Sequence, residues 1–98
     1  MSKPDVIWSP VAELTYSQVL EYLNEYWTIK EIAAFIKRTD EVIGHIVNNP
    51  LLYPRSARSD VHKCVVVKQV SLFYRVTSGN IELLMFWDNR LDPNKLKF

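Results

Sequence analysis

The sequence holds a single cysteine, Cys64, inside the apolar run Val61–Val67. One thiol cannot close an internal disulfide, and without a CxxC pair or a Cys/His cluster there is no zinc spacing. Cys64 therefore reads as a small core residue. Charge of one sign is lacking as well, since 12 Lys+Arg against 11 Asp+Glu leave a formal net charge of +1. The chain is not a polycation, so nucleic-acid binding would need local clustering of cations. No apolar run approaches a membrane span, and Met1–Pro10 lacks the apolar stretch of a signal peptide. A cytoplasmic protein with no membrane role is the expectation. A phosphate loop, a nucleophile elbow and paired helical carboxylates are also missing, so no metal or cofactor is expected.

What is present is ordinary globular composition, 48% hydrophobic and 23% charged, over 98 residues. That length is one domain, spanning 1–98, with one modest core and no room for a deep enclosed active site.

Val6–Trp8 is a short apolar segment closed by Ser9-Pro10, a helix start with Ser as N-cap and Pro at the first helical position. Ala12, Tyr16, Val19, Leu20, Leu23 and Trp27 then recur at helical spacing, carrying a first helix to about Tyr26. Thr28 and Glu31 form a capping box, so a second helix starts almost where the first stops and the pair makes a tight hairpin. Its apolar stripe reads Ile32, Ile36, Ile43, Ile46 and Val47, and Asn48-Asn49-Pro50 ends it. Gly44 inside that helix costs about 1 kcal/mol relative to alanine, and a close contact with the first helix would account for it. Leu51–Asp60 is loop, with Pro54, Arg55 and Arg58.

The period then changes to that of strands, in Val61–Lys68, Val70–Thr77 and Ile81–Asp88, joined at Gln69 and at Ser78-Gly79-Asn80. Links this short require antiparallel hairpins. The expected fold is α+β: an N-terminal strand, an αα hairpin packed on one face, then a three-stranded antiparallel meander. In the middle strand Leu72, Tyr74 and Val76 alternate with Ser71, Phe73, Arg75 and Thr77; the last strand breaks the alternation. The face away from the helices is expected to carry Phe73, Leu84 and Phe86 beside Arg75 and Asp88. An apolar patch edged by charge fits a partner site, and the alternative is that the N-terminal strand or the C-terminal tail covers it.

His45 lies off the apolar stripe and reads as a solvated face residue. His62-Lys63 opens a strand; an imidazole beside a cation has its protonated form disfavoured and could act as a general base, or the two are a polar strand edge in water. Arg55, Arg58, Lys63, Lys68, Arg75, Arg90, Lys95 and Lys97 gather in the second half of the chain, diluted there by Asp60, Glu82, Asp88 and Asp92.

The order of particular words now carries a resemblance. Ile7-Trp8-Ser9-Pro10 leads into the helical hairpin, which Asn48-Asn49-Pro50 closes. Ser71-Leu72-Phe73-Tyr74-Arg75-Val76 follows, then Met85-Phe86-Trp87-Asp88-Asn89-Arg90, Asp92-Pro93 and a short basic tail. Over essentially its whole length the chain resembles the RelE/ParE superfamily of type II toxin–antitoxin toxins, also called plasmid stabilisation proteins. The resemblance implies a small toxin held inactive by a cognate antitoxin in a hetero-oligomer, an addiction module. RelE-like members cut messenger RNA on the ribosome; ParE-like members poison DNA gyrase.

RNA cleavage of this kind has the 2′-hydroxyl attack the adjacent phosphate, and needs a proton acceptor, a proton donor and cations. Where RelE-like toxins carry an arginine in the third strand this chain has Ser71, and the tail Asn94–Phe98 holds no counterpart of their C-terminal tyrosine. Arg90 matches their arginine after the last strand, and Arg75 replaces only part of the missing charge. The incomplete nuclease set favours the ParE-like branch, a binding protein with gyrase as its implied target. Phe73, Arg75, Phe86, Asp88, Asn89 and Arg90 are then the residues for target or antitoxin contact. Trp87–Arg90 would alternatively form a structural corner in which Asp88 or Asp92 pairs with an arginine. The alternative function is a ribosome-dependent mRNA endoribonuclease using His62, Lys63, Lys68 and Arg90.

Overall fold

The computed structural model describes residues 3–55 and 60–89. The helices begin where their capping residues place them. Ser9 Oγ accepts the Ala12 N–H at 3.0 Å and Pro10 opens α1, Pro10–Tyr26. In α2, Ile29–Asn48, Thr28 Oγ1 accepts the Glu31 N–H at 3.2 Å while Glu31 Oε1 accepts the Thr28 N–H at 3.1 Å. This reciprocal pair satisfies two donors that a helix start leaves open. Only Trp27 and Thr28 separate the helices, so the chain must fold back on itself.

The inward stripe of α2 differs from the one read in the sequence. Its buried residues are Phe35, Thr39, Val42 and Ile46, flanked by Ile32, Ile43 and Val47, whereas Ile36 is 40% exposed. Phe35, Val42 and Ile46 mark the centre line, and Ile36 lies about 100° around the helix from Phe35, off its edge. Thr39 sits in the stripe because its hydroxyl donates to the Phe35 carbonyl at 2.9 Å. Gly44 departs from expectation too. A Cβ there would meet nothing within 4 Å, so no close approach of α1 requires the glycine.

The sheet contains β1 (Val6–Trp8), β2 (Val61–Val67), β3 (Val70–Thr77) and β4 (Asn80–Asp88) in the order β1-β4-β3-β2. β1 runs parallel to β4; the other pairs are antiparallel. The β3–β4 loop is two residues long, Ser78 and Gly79, at φ 47° and 80°. Two positive-φ positions are what a two-residue hairpin turn matching strand twist requires. Asn80 therefore begins β4, which sets Arg75 opposite Glu82. α1 lies over β4 and α2 over β2, covering one face of the sheet.

Tyr16 is the hub of that covered face. Its ring lies 5.3 Å from Trp8, 5.0 Å from Phe86 and 5.8 Å from Phe35, tying together β1, α1, α2 and β4. Burial raises the Tyr16 phenol pKa, the Asp40 carboxylate raises it further, and a hydrogen bond with Thr39 works against both.

Phe86 is thus a core residue, 2% exposed, and not part of the open face expected for it. The cause is a bulge. Phe73 pairs with Met85 and Tyr74 with Leu83, so Leu84 is an extra residue in β4. One extra residue reverses the facing of everything after it. Leu83 faces the helices, Leu84 and Met85 both turn outward, and Phe86 faces inward again. The start of α1 holds the bulge, because Ser9 Oγ donates to the Leu84 carbonyl at 2.9 Å and Thr15 Oγ1 accepts the Phe86 N–H at 3.0 Å. These hydroxyls satisfy the edge of β4 beyond the end of β1.

Candidate functional site

The open face of the sheet brings Lys63, Arg75 and Glu82 together across β2, β3 and β4, since strand alternation turns all three away from the helices. Arg75 is held from both sides. Its Nε lies 3.3 Å from Asp60 Oδ2, without hydrogen-bond alignment, and its Nη1 lies 3.6 Å from Glu82 Oε1. The guanidinium is therefore charge-compensated. Phe73, placed on this face as an exposed anchor by the sequence reading, is only 2% exposed and lies outside the helix-side core cluster.

At the far end of the sheet, Asn89 works as a clasp. Its N–H donates to the Gln69 carbonyl at 2.8 Å, its Nδ2 donates to the Lys68 carbonyl at 3.3 Å, and its Oδ1 accepts the Ser71 hydroxyl at 2.7 Å. These bonds lash the end of β4 to the β2–β3 turn and engage Ser71, which is fully buried. Asp88 is placed on the helix side with Phe86, not on the open face. It borders a cleft of about 280 Å³ between α1 and the end of β4, whose lining includes Val19, Tyr22, Trp27 and Val70. Sequence reading missed this cleft because it opens only where β1 stops short of the full length of β4.

His62 is neither a strand edge in water nor a neighbour of Lys63 in space. Successive strand residues point to opposite faces, so Lys63 turns outward while His62 is buried at 5% exposure. Its ring stacks on Tyr74 at 5.0 Å, and Nδ1 lies 2.8 Å from the Tyr53 carbonyl. A carbonyl can only accept, so Nδ1 carries a proton and donates it to Tyr53. Tyr74 donates its hydroxyl to the Pro50 carbonyl at 2.8 Å, and burial pushes its phenol up to about 12. Cys64 is buried beside them, with its thiol pKa raised by burial.

Lys68 occupies the β2–β3 turn, at the opposite end of β2 from His62. His62, Lys63 and Lys68 therefore do not converge on one point. Arg90, and with it Arg58, Asp92, Lys95 and Lys97, lies outside the described residues. Among the described residues no group of three or more His, Cys, Asp or Glu could hold a metal ion. Asp60 and Glu82 were the partners missed in the sequence. Counting β3–β4 pairs back from a two-residue Ser78-Gly79 turn would have found Glu82; nothing local pointed to Asp60.

No protein-family description matches the chain, and no curated protein does. Solved structures do resemble it. A chain of the chromosomal ParDE TA system from P. aeruginosa superposes with a TM-score of 0.74 at 13% identity, over 88% of this chain and 96% of that one. A chain of the E. coli DinJ–YafQ toxin–antitoxin complex gives 0.63 at 10% identity, over 91% and 96%. The YoeB dimer from Staphylococcus aureus gives 0.59 at 16% identity, over 86% and 94%. Likeness at such identities is a statement about architecture, and the chain has the fold of the RelE/ParE superfamily of toxins.

Proposed function

We propose that this chain is the toxin of a type II toxin–antitoxin module of the plasmid stabilisation kind, held inactive by a cognate antitoxin in a hetero-oligomer. It acts in the cytoplasm by gripping a protein target, DNA gyrase, and not by cutting messenger RNA. The toxin role is supported by the fold shared with ParDE, YafQ and YoeB chains, whose structures include toxin–antitoxin complexes. No helix among the described residues is long and apolar enough to cross a membrane, which fits a soluble target.

The choice of target is carried by one observation: His62 and Lys63, two of the proposed nuclease groups, face different ways. A general base must come within about 3 Å of the hydroxyl proton it removes. His62 is buried on the helix side of the sheet and committed to the Tyr53 carbonyl, while Lys63 lies on the opposite face. Arg75, the remaining described cation of the open face, is already compensated by Asp60 and Glu82. Phosphate would have to displace two carboxylates to reach it.

Induced expression in a bacterial host tests the reading, with DNA and protein synthesis followed by separate labels. Early arrest of DNA synthesis with filamentation is the expected result. Protein synthesis stopping first, with cleaved messenger RNA, would overturn it in favour of the ribosome-dependent endoribonuclease.

A further inference from the structure

Phe73 is buried on the side of the sheet that no helix covers. It shares the open face with Ser71 and Arg75, since Leu72 and Tyr74 between them point into the helix-side core. α1 and α2 both lie on the other face. Yet Phe73 is 2% exposed and Ser71 fully buried. Their strand neighbours do not account for this. Lys63 and Met85, paired with Phe73, both keep contact with water, and Val65, paired with Ser71, is 52% exposed. Side chains standing beside a ring on a sheet screen its edges and leave its top open. Among the described residues no helix or strand lies over this ring, so its cover comes from outside them.

Three segments come into question. Residues 1–2 precede β1, which runs parallel to β4 and pairs with its Ile81 end, so the chain before β1 leads away from Met85 and Phe73. Residues 56–59 read Ser-Ala-Arg-Ser and offer an apolar cover nothing larger than one methyl group. They adjoin Asp60 and Val61, and suffice for the burial of Val61 beside them. Residues 90–98 hold Leu91, Leu96 and Phe98. They also start in the right place. Asn89 Oδ1 accepts the Ser71 hydroxyl at 2.7 Å, so the chain leaves β4 on the open side, beside Ser71. Phe73 is two strand residues further on, about 7 Å away. Nine residues span up to about 30 Å, several times what is needed.

We propose that residues 90–98 fold back over the open face as a strap and seat Leu91, Leu96 or Phe98 on the Phe73 ring. A partner approaching this face meets the strap first, and Phe73 is available to it only when the strap lifts. That consequence for target contact rests on the toxin reading; the strap itself does not.

NMR of the full chain tests the strap. In the wild type, nuclear Overhauser contacts should link the Phe73 ring to the side chains of Leu91, Leu96 or Phe98. Leu91→Ala/Leu96→Ala/Phe98→Ala should shift the Phe73 signals and lower the thermal unfolding midpoint, with the signals of Tyr16 and Phe86 left in place. Contacts from Phe73 to Ala57 instead would overturn the proposal. So would contacts from 90–98 only to Val19 and Tyr22 in the cleft beside α1, or Phe73 signals unmoved in the variant. Contacts seen only between differently labelled copies in a mixed sample overturn it too, because the cover then belongs to a second molecule. Growth arrest on induction keeps the two readings apart. A wild type that makes the Phe73 contacts without arresting growth upholds the strap and overturns the toxin reading; one that arrests growth without them does the reverse.

Discussion

The two faces of the sheet obey different rules. On the helix side, residues from β1, β3 and β4 meet α1 and α2 in a continuous apolar layer centred on Tyr16, and position follows from what must be buried. On the open side, Lys63, Arg75, Glu82 and Asp60 are arranged by strand register, and their partners follow from turn length and bulges. A slip of one residue turns every side chain of a strand to the opposite face, so it would separate the ion pairs of the open side and expose the core residues of the helix side together. The helix side is accordingly where stability is concentrated, and the open side is where small changes can be made without unfolding the chain.

Phe86 gives the sharpest way to break that distinction. The strand pattern read on its own puts it on the open face, whereas the bulge at Leu84 puts it against Trp8 and Tyr16. Phe86→Ala should cost about 3–5 kcal/mol as a buried ring in a packed layer. Urea unfolding measures this directly, and a loss below about 1 kcal/mol would return Phe86 to the surface.

Alkaline pH separates the faces by a second route. The buried Tyr74 phenol is pushed up to about 12 from 10.0, mainly by burial. A raised pKa means that the fold favours the neutral phenol. Its contribution is complete below pH 10, the unfolded value, and disappears as pH climbs through 12. Two pH units correspond to about 2 to 3 kcal/mol. Tyr16 and Tyr53 are shifted in the same direction, each first by burial, and add to the slope. Stability followed from pH 9 to 12 should fall steeply in the wild type and less steeply in Tyr74→Phe. Parallel slopes would mean that Tyr74 is accessible to water.

Much of the fold was legible because its signals are local. Ser9-Pro10 and Thr28–Glu31 state where helices start, and the alternation in β3 names its inner and outer residues. The errors came where the cause lies in another element. Leu84 is extra only because Ser9 and Thr15, about seventy residues earlier, supply partners for the strand edge. His62 is buried only because the Pro50–Tyr53 segment folds over it. Of the residues expected at the site, Arg75 lies on the open face as read. Asn89 instead spends its polar atoms on Ser71, Lys68 and Gln69, and Phe86 and Asp88 lie on the other side. Side-chain roles depend on register, and register is a non-local property.

Gly44 tests how the helical layer is held together. If α1 and α2 were pressed against each other there, alanine would clash. With nothing within 4 Å of an added methyl group, Gly44→Ala should instead stabilise the protein by up to about 1 kcal/mol through helix propensity. Thermal unfolding would show a small rise in midpoint. A fall would mean that the helices approach more closely than the sheet-based packing requires.

The smallest effects are expected on the open face. Arg75 and its two acids are partly exposed, with side-chain accessibilities of 31% for the arginine, 51% for Asp60 and 37% for Glu82. Pairs in such surroundings contribute about 0–1 kcal/mol, because water and salt screen them and ordering long side chains costs entropy. Glu82→Gln alone should lose well under about 1 kcal/mol, since Asp60 still holds the guanidinium. Asp60→Asn/Glu82→Gln should lose somewhat more than the sum of the singles, because only then is Arg75 left without a carboxylate. Raising the salt should shrink all three differences. Urea unfolding of the four proteins at low and high salt measures the cycle. A single replacement costing more than about 2 kcal/mol, with no dependence on salt, would show that the triad is sealed from water and that the open face is a second core.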